Sequence, residues 1–225
     1  MYDLHLGNKN YSSWSLRPWL LMQHFGIPFV EHMVSVAGRD YNPALKPIAG
    51  NARVPCLHDD GFQIWDSLAI AEYLAERHPQ MWPAERKARA RARSICAEMH
   101  SGFMHLRKAM PMNLKLRLKG KPASPEVQRD IDRIVEIWED ARNNFASDGP
   151  WLFGDFSVAD AMFAPAAWRF HIYNVALPPV AAAWRDAVLA HPAMREWYAA
   201  ALLETEAHAH YDGLADDYGG PRQGT

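Results

Sequence analysis

The chain changes its hydrophobic period several times in its first eighty residues and then settles on one. Tyr2, Leu4 and Leu6 alternate with other positions, which predicts a strand with one buried face, and Gly7-Asn8 ends it. Leu16, Trp19, Leu20 and Phe25 then recur at helical spacing behind Ser12 and Ser13, either of which can cap the helix. Pro18 is read as lying near the first turn, where a missing N–H does no harm, and Gly26 with Pro28 stops the helix. Phe29 to Val36 reads as a second strand. Asn42 to Ala52, rich in Pro, Gly and Asn, reads as an irregular connection with one short helix. Val54 to His58 and Phe62 to Trp65 read as strands joined by a turn at Asp59-Asp60-Gly61. Asp66 and Ser67 open an amphipathic helix that runs to His78 before Pro79. This order is that of a small mixed-sheet α/β unit.

Residues 79–84 carry two prolines and read as a linker. Beyond them the pattern is helical, in segments near 85–118, 125–147, 157–173, 180–190 and 193–206. The fold class expected is therefore α/β plus all-α: an N-terminal α/β domain over residues 1–78 and an all-helical domain of about five helices over 85–206. Asp212 to Thr225, rich in Gly and Asp, is expected to wrap loosely or to be disordered.

Composition narrows the function classes. Hydrophobic residues make up 49% and charged residues 22%, the balance of a chain that buries a core. A formal net charge of -2 offers no overall field for nucleic acid or an anionic membrane. The basic run Glu85 to Arg93 places its charges at every second residue, so a helix would spread them around its girth; a solvated or dimer-facing helix start is expected. No apolar stretch approaches the roughly 20 residues of a membrane span, and no basic segment with a long apolar run opens the chain. With two cysteines, Cys56 and Cys96, and no C-x-x-C pair, the expectation is a cytoplasmic protein with reduced thiols. The 11 histidines show no metal-ligand spacing, so no metal is expected.

Four segments carry a resemblance to a known family. Tyr11-Ser-Ser-Trp-Ser-Leu-Arg17 is similar to the Ser-Ser-Cys-Ser-x-Arg segment of zeta-class glutathione transferases, with Trp14 where that class has Cys. Arg53-Val-Pro-Cys-Leu57 resembles the family's Val-Pro-x-Leu, whose proline is cis. Asp66-Ser-Leu-Ala-Ile-Ala-Glu-Tyr-Leu74 resembles its Glu/Gln-Ser-x-Ala-Ile-x-x-Tyr-Leu, and Phe156-Ser-Val-Ala-Asp160 resembles the capping box of its helical domain. In order and spacing they identify the chain as similar to the cytosolic glutathione transferases over about residues 3 to 206. Ala97 to Phe103 and Met110 to Asn113 also resemble a group of bacterial transferases, which implies a bacterial source.

The resemblance implies a thioredoxin-like N-terminal domain, glutathione as co-substrate, a small hydrophobic electrophile as its partner in a detoxifying reaction, and a homodimer. It implies that Ser12 donates to the glutathione sulfur, with Ser13 as neighbour or substitute. A thiol of pKa about 8.5 is only a few per cent thiolate at neutral pH, so a hydroxyl at a helix N-terminus has work to do there. The residue types also permit plain caps at Ser12 and Ser13, with Tyr11 as a rival donor. Val54 would pair with the cysteinyl backbone, or Pro55 simply starts a strand. Asp66 and Ser67 would hold the γ-glutamyl ammonium and carboxylate while also capping their helix. Asp66 is one methylene shorter than the usual Glu or Gln. Arg17 reads either as a further anion contact or as a solvated charge. Tyr11, Trp14, Met104 and Arg107, with Met110 and Met112, are candidates to line the electrophile site. Ser157 and Asp160 read as folding elements, with Asp160 buried and hydrogen-bonded. Two rival functions remain on the same fold: a zeta-like glutathione-dependent isomerase and a non-catalytic ligand carrier.

Overall fold

The computed structural model describes residues 1–35, 42–146 and 148–221. The alternation at the start does form a strand, β1 (Tyr2–Leu6), with Tyr2, Leu4 and Leu6 buried. Helix α1 (Ser13–His24) carries the chain over to β2 (Phe29–Met33), which lies parallel to β1 with Tyr2 opposite Phe29. A parallel pair needs such a crossover. β3 (Cys56–Asp59) and β4 (Phe62–Ile64) are antiparallel, giving a four-stranded sheet in the order β2-β1-β3-β4. Asp60 and Gly61 both have positive φ, 48° and 84°, the backbone of a two-residue hairpin loop with the right-handed twist of its strands. α2 (Ser67–Arg77) follows.

Three readings of this half are corrected. β2 stops at Met33, and Val34 and Ser35 are not strand; Val36 lies outside the described residues. The short helix expected in the connection is a single 3-10 turn at Pro43–Leu45. Pro18 sits in the sixth position of α1, beyond the first turn, so the bond to the Trp14 carbonyl is missing. Packing on both sides offsets that loss: Leu16, Trp19, Leu20, Leu21 and Met22 are all buried.

The helical half comprises α3 (Arg86–Ser101), α4 (Met104–Ala109), α5 (Pro125–Asn144), α6 (Val158–Ile172), α7 (Pro179–Ala190) and α8 (Pro192–Leu203). The stretch read as one helix over 85–118 is broken between α3 and α4, where Phe103 takes a left-handed φ of 61°. The Arg107 side chain folds back onto the C-terminus of α3, donating to the carbonyls of Gly102 and Met99, and so satisfies acceptors the break exposes. Met110 and Met112 lie beyond α4 and are core residues at 0% and 1% exposure. α6 is the axis of the molecule, packed against α1, α3 and α7 and buried on all sides. Its cap is as expected: Asp160 is fully buried and accepts from Ser157 N–H and Oγ, Leu152 N–H and Trp184 Nε1–H. Burial pushes its carboxyl up to about 6 against the pull of those donors.

Through Pro221 the tail packs on the molecule, unlike the loose or disordered stretch expected over Asp212 to Thr225, of which 222–225 lie outside the described residues. Two short helices, α9 (Ala209–Asp212) and α10 (Leu214–Tyr218), fold back over the molecule. Leu214 is buried, and Lys119 and Arg117 N–H groups donate to the Gly219 and Pro221 carbonyls. Gly composition misled here: Gly219 and Gly220 are needed for φ of 65° and 121°, and a Cβ on Gly220 would lie 1.9 Å from the Arg117 carbonyl oxygen. Among the described residues no helix is long and apolar enough to cross a membrane.

Candidate functional site

The loop between β1 and α1 is held from several directions. Asn8 Oδ1 accepts from the N–H groups of Asn10 and Tyr11, and the Ser12 N–H donates to the Asn8 carbonyl at 2.8 Å. Glu204, just past α8, spreads its two carboxylate oxygens over successive backbone donors, Lys9 N–H at 2.7 Å and Asn10 N–H at 2.8 Å. Burial pushes the Glu204 carboxyl up, while those two N–H groups and the Lys9 charge pull it down. Trp197 Nε1–H donates to the Lys9 carbonyl, and Lys115 N–H to Asn10 Oδ1. The helical half thus fixes the loop on which the serines stand.

Ser12 is the N-cap of α1, accepting from Ser15 N–H at 3.3 Å. Its hydroxyl also meets the Ser15 hydroxyl at 2.8 Å, and Ser15 Oγ in turn accepts from Gly7 N–H at 3.0 Å. Ser13 is buried, its Oγ accepting from Arg169 Nη2 at 3.2 Å. Tyr11 is committed elsewhere: its hydroxyl donates to Asp212 at 2.7 Å, and burial, together with that carboxylate, pushes the phenol well up. Asp212 also accepts from Asn113 Nδ2–H, so the tail is tied down beside the loop.

Val54 joins this neighbourhood. The Val54–Pro55 bond is cis, and a Cβ placed on Gly7 would meet Val54 Cγ2 at 3.1 Å and Ser12 Oγ at 3.4 Å. Gly7 is therefore where the chain allows β1, the cis-proline turn and the Ser12 hydroxyl to come together. At the next element Asp66 caps α2 through Leu68 N–H and pairs with His100 Nε2 at 3.1 Å. Ser67 is 1% exposed, and its hydroxyl has no hydrogen-bond partner among the described residues. A buried hydroxyl without a partner at a helix start is a place for a ligand acceptor.

Trp14 links the two ends. Its indole meets His100 edge-on and lies under both the Arg17 guanidinium, 4.2 Å from the ring centroid, and that of Arg107, at 4.7 Å. Arg17 is not a solvated charge; it is 1% exposed. Of the candidate lining residues, the structure brings Trp14 and Arg107 together at the site. Met104 is 65% exposed and makes no such approach. Cys56 and Cys96 are buried and free, their thiols pushed up by burial, Cys56 to about 11. The contacts of Glu204 with Lys9 and of Asp212 with Tyr11 span about two hundred positions, so the sequence carried no local signal of either.

Comparison with known proteins identifies the family. The model of the glutathione S-transferase N-terminal domain matches residues 11–77, and that of the C-terminal domain matches residues 122–200. A maleylacetoacetate isomerase from Pseudomonas aeruginosa is 31% identical over 186 residues, 78% of this chain and 85% of that protein. A stringent starvation protein A homolog from Coxiella burnetii is 28% identical over 160 residues, 69% of this chain and 71% of that protein. Among solved structures, the holo form of a maleyl pyruvate isomerase, a bacterial transferase of zeta class, superposes with a TM-score of 0.68 at 20% identity, covering 92% of this chain and 100% of that one. A glutathione transferase homolog from Burkholderia, with glutathione bound, gives 0.66 at 23% identity, covering 89% and 97%. With a thioredoxin-like sheet domain, an all-helical partner and both domain models matched, the chain belongs to the glutathione S-transferase family.

Proposed function

We propose that the protein binds glutathione on its sheet domain and activates the thiol for attack on an electrophilic small molecule, with Ser12 as the donor to the sulfur anion. The observation that carries this reading is the hydroxyl chain at the start of α1. Ser15 Oγ already accepts from Gly7 N–H, so its proton is available to Ser12 across 2.8 Å. When an anion arrives the two rotors reverse: Ser15 donates to Ser12, and Ser12 donates outward. The sulfur anion then gains a charge-assisted hydrogen bond beside the positive end of a helix. The thiol releases its proton to solvent, the thiolate forms the new bond to carbon, and the leaving group departs with its bonding pair. Val54 supports the cysteinyl backbone, while Ser67 and Asp66 take the γ-glutamyl carboxylate and ammonium. Tyr11 does not serve as the donor, since its proton goes to Asp212.

Calorimetric titration with glutathione tests the binding half. Ser67→Ala should weaken affinity by about 1–3 kcal/mol, because a carboxylate loses a donor that has no other partner. Unchanged affinity in a folded variant removes the assigned site. A second reading, glutathione-dependent cis–trans isomerisation, is favoured by the similarity to maleylacetoacetate isomerase; it uses the same thiolate, added and then expelled. The alternative of a non-catalytic ligand carrier on the same fold would leave the hydroxyl chain idle. A homodimer is part of the proposal. Phe62 and Trp65 on the sheet domain and Met104 at the start of α4 are 68%, 43% and 65% exposed, and they are apolar surface suited to a second copy beside the basic start of α3. A cytoplasmic location and a detoxifying role in a bacterium complete the reading.

A further inference from the structure

Strand parity gathers titratable side chains on the face of the sheet opposite Tyr2, Leu4 and Leu6. His5 of β1 lies in register with His32 of β2 and Cys56 of β3. Asp3 lies opposite His58, which in turn lies opposite Gln63 of β4. The three imidazoles meet. His5 stacks on His32, with ring centroids 4.7 Å and planes 17° apart, and approaches His58 at 4.4 Å and 48°. The connection at 42–52 is held on this face by three bonds. His58 Nε2–H donates to the Ile48 carbonyl at 2.6 Å, Gln63 Nε2–H donates to the Pro47 carbonyl at 3.1 Å, and Gln63 Oε1 accepts from Gly50 N–H at 3.1 Å.

Two of the rings each have an oxygen to bond: His32 Nε2–H donates to Asp3 at 2.7 Å, and His58 to Ile48. The third does not. His5 Nδ1 is buried and has no hydrogen-bond partner among the described residues. A proton there meets no acceptor and sets a positive charge between two other imidazoles. The remaining groups on this face give no relief. Asp3 is engaged by His32, whose hydrogen bond lowers its carboxyl. The Cys56 thiol, pushed up to about 11 by burial, carries no charge. Lys46 and Arg53, the charged residues of the connection, are exposed, and Lys46 donates to the Gly50 carbonyl. Burial first, then the charges of His58 and His32, holds His5 down at about 4.

We propose that the His5–His32–His58 stack is an acid-opened latch: neutral, it clamps the 42–52 connection to the sheet, and in mild acid the protonated stack parts and the connection lifts from β3 and β4. The connection is the layer that yields. The strands are joined by ladder hydrogen bonds over a buried core, whereas the connection is a single 3-10 turn with irregular backbone, tied down through His58 and Gln63. The sign follows from the neutral ring being the one the closed form holds. The latch is intact above pH about 6.5 and is lost as pH falls toward about 4. A ring held at about 4 when closed and at 6.5 when open favours opening about thirty-fold more at pH 5 than at pH 7.5. Solvent reaches part of the ring and screens it, so at least about five-fold is expected. The connection runs directly into Val54, beside Gly7. An effect on glutathione therefore rests on the function proposed above; the opening itself does not.

Amide hydrogen exchange on the full chain reads the opening. The Ala49 and Ala52 N–H groups bond only within the connection, to the Leu45 and Ala49 carbonyls, so they report its order. After correction for the intrinsic pH dependence of exchange, their protection in wild type should fall at least about five-fold from pH 7.5 to pH 5. His5→Phe keeps a flat ring that takes no proton, and should remove more than half of that fall. A nuclear magnetic resonance titration of wild type needs no variant to fold: the His5 ring should titrate at least about one pH unit below the ordinary 6.5. A fall in protection smaller than five-fold overturns the proposal. So does a fall that survives undiminished in His5→Phe, or a His5 ring that titrates near 6.5. Calorimetry with S-methylglutathione at the two pH values separates the latch from the ligand site. Wild type should lose more affinity at pH 5 than His5→Phe does. If the connection opens as expected while the two proteins lose affinity alike, the latch stands and the place given to Val54 in the glutathione site falls.

Discussion

Removing the Glu204 carboxylate should loosen the loop that carries Ser12 from the far side of the molecule. In Glu204→Ala the N–H groups of Lys9 and Asn10 lose acceptors at 2.7 and 2.8 Å, and both residues are buried. A hydrogen bond to a charged group contributes about 1.5–3 kcal/mol net, and Glu204 is only half-buried, so the pair should be worth roughly 2–4 kcal/mol rather than the full sum. Glu204→Gln keeps one acceptor but turns an NH₂ toward the other donor, and should cost about 1–3 kcal/mol for the group left unpaired. Urea unfolding read by tryptophan fluorescence supplies these values by linear extrapolation. The loop that slackens is the one that ends in Ser12, so both variants should also raise the thiol pKa of bound glutathione with little change in its affinity. If both unfold within about 0.5 kcal/mol of wild type, the clamp is a dispensable surface contact and the reasoning fails.

Two further outcomes follow from surface and titration. Sedimentation at micromolar concentration should show twice the 25.5 kDa chain mass, and a single 25.5 kDa species would remove the dimer. His191 caps α8 by accepting Ala193 N–H on Nδ1, so its proton is on Nε2, which donates to His24 Nδ1 at 2.9 Å. Burial holds both rings below the usual imidazole value, His24 at about 4, so the neutral pair stabilises the fold above pH about 6.5 and that contribution is lost as pH falls toward about 4. The urea midpoint should drop over that window, less so in His191→Asn; parallel profiles would show that the pair does not titrate with unfolding.

What the sequence disclosed was local, and what it hid was long-range. β1 was legible because a two-residue period survives in Tyr2, Leu4 and Leu6, and the hairpin because Asp60-Gly61 is a turn with few alternatives. The Ser157–Asp160 box and the Asp66 cap were legible because a cap is a contact between near neighbours. Arg17 could not be assigned, since a helical arginine looks the same whether it faces water or two other guanidiniums. The break at Gly102-Phe103 was missed because the residue that stabilises it, Arg107, reads as an ordinary helical position. The tail was misjudged on glycine content: Leu214 and the bonds from Arg117 and Lys119 anchor it. Ser12 and Ser13 were indistinguishable as caps until Arg169 was seen to occupy Ser13.

The direct measurement is the thiol pKa of glutathione in the complex, read from thiolate ultraviolet absorbance across pH for wild type, Ser12→Ala, Ser13→Ala and Tyr11→Phe. Wild type should ionise the bound thiol below the free value of about 8.5. Ser12→Ala removes one donor to a charged sulfur, about 1.5–3 kcal/mol, and should raise that pKa by roughly 1–2 units. Turnover at neutral pH should fall more than glutathione affinity and recover in part at alkaline pH, because the donor matters once sulfur carries charge. Ser13→Ala should give a smaller shift, and Tyr11→Phe none, since its hydroxyl already serves Asp212. A thiol pKa unmoved by Ser12→Ala but raised by Tyr11→Phe would contradict the serine mechanism.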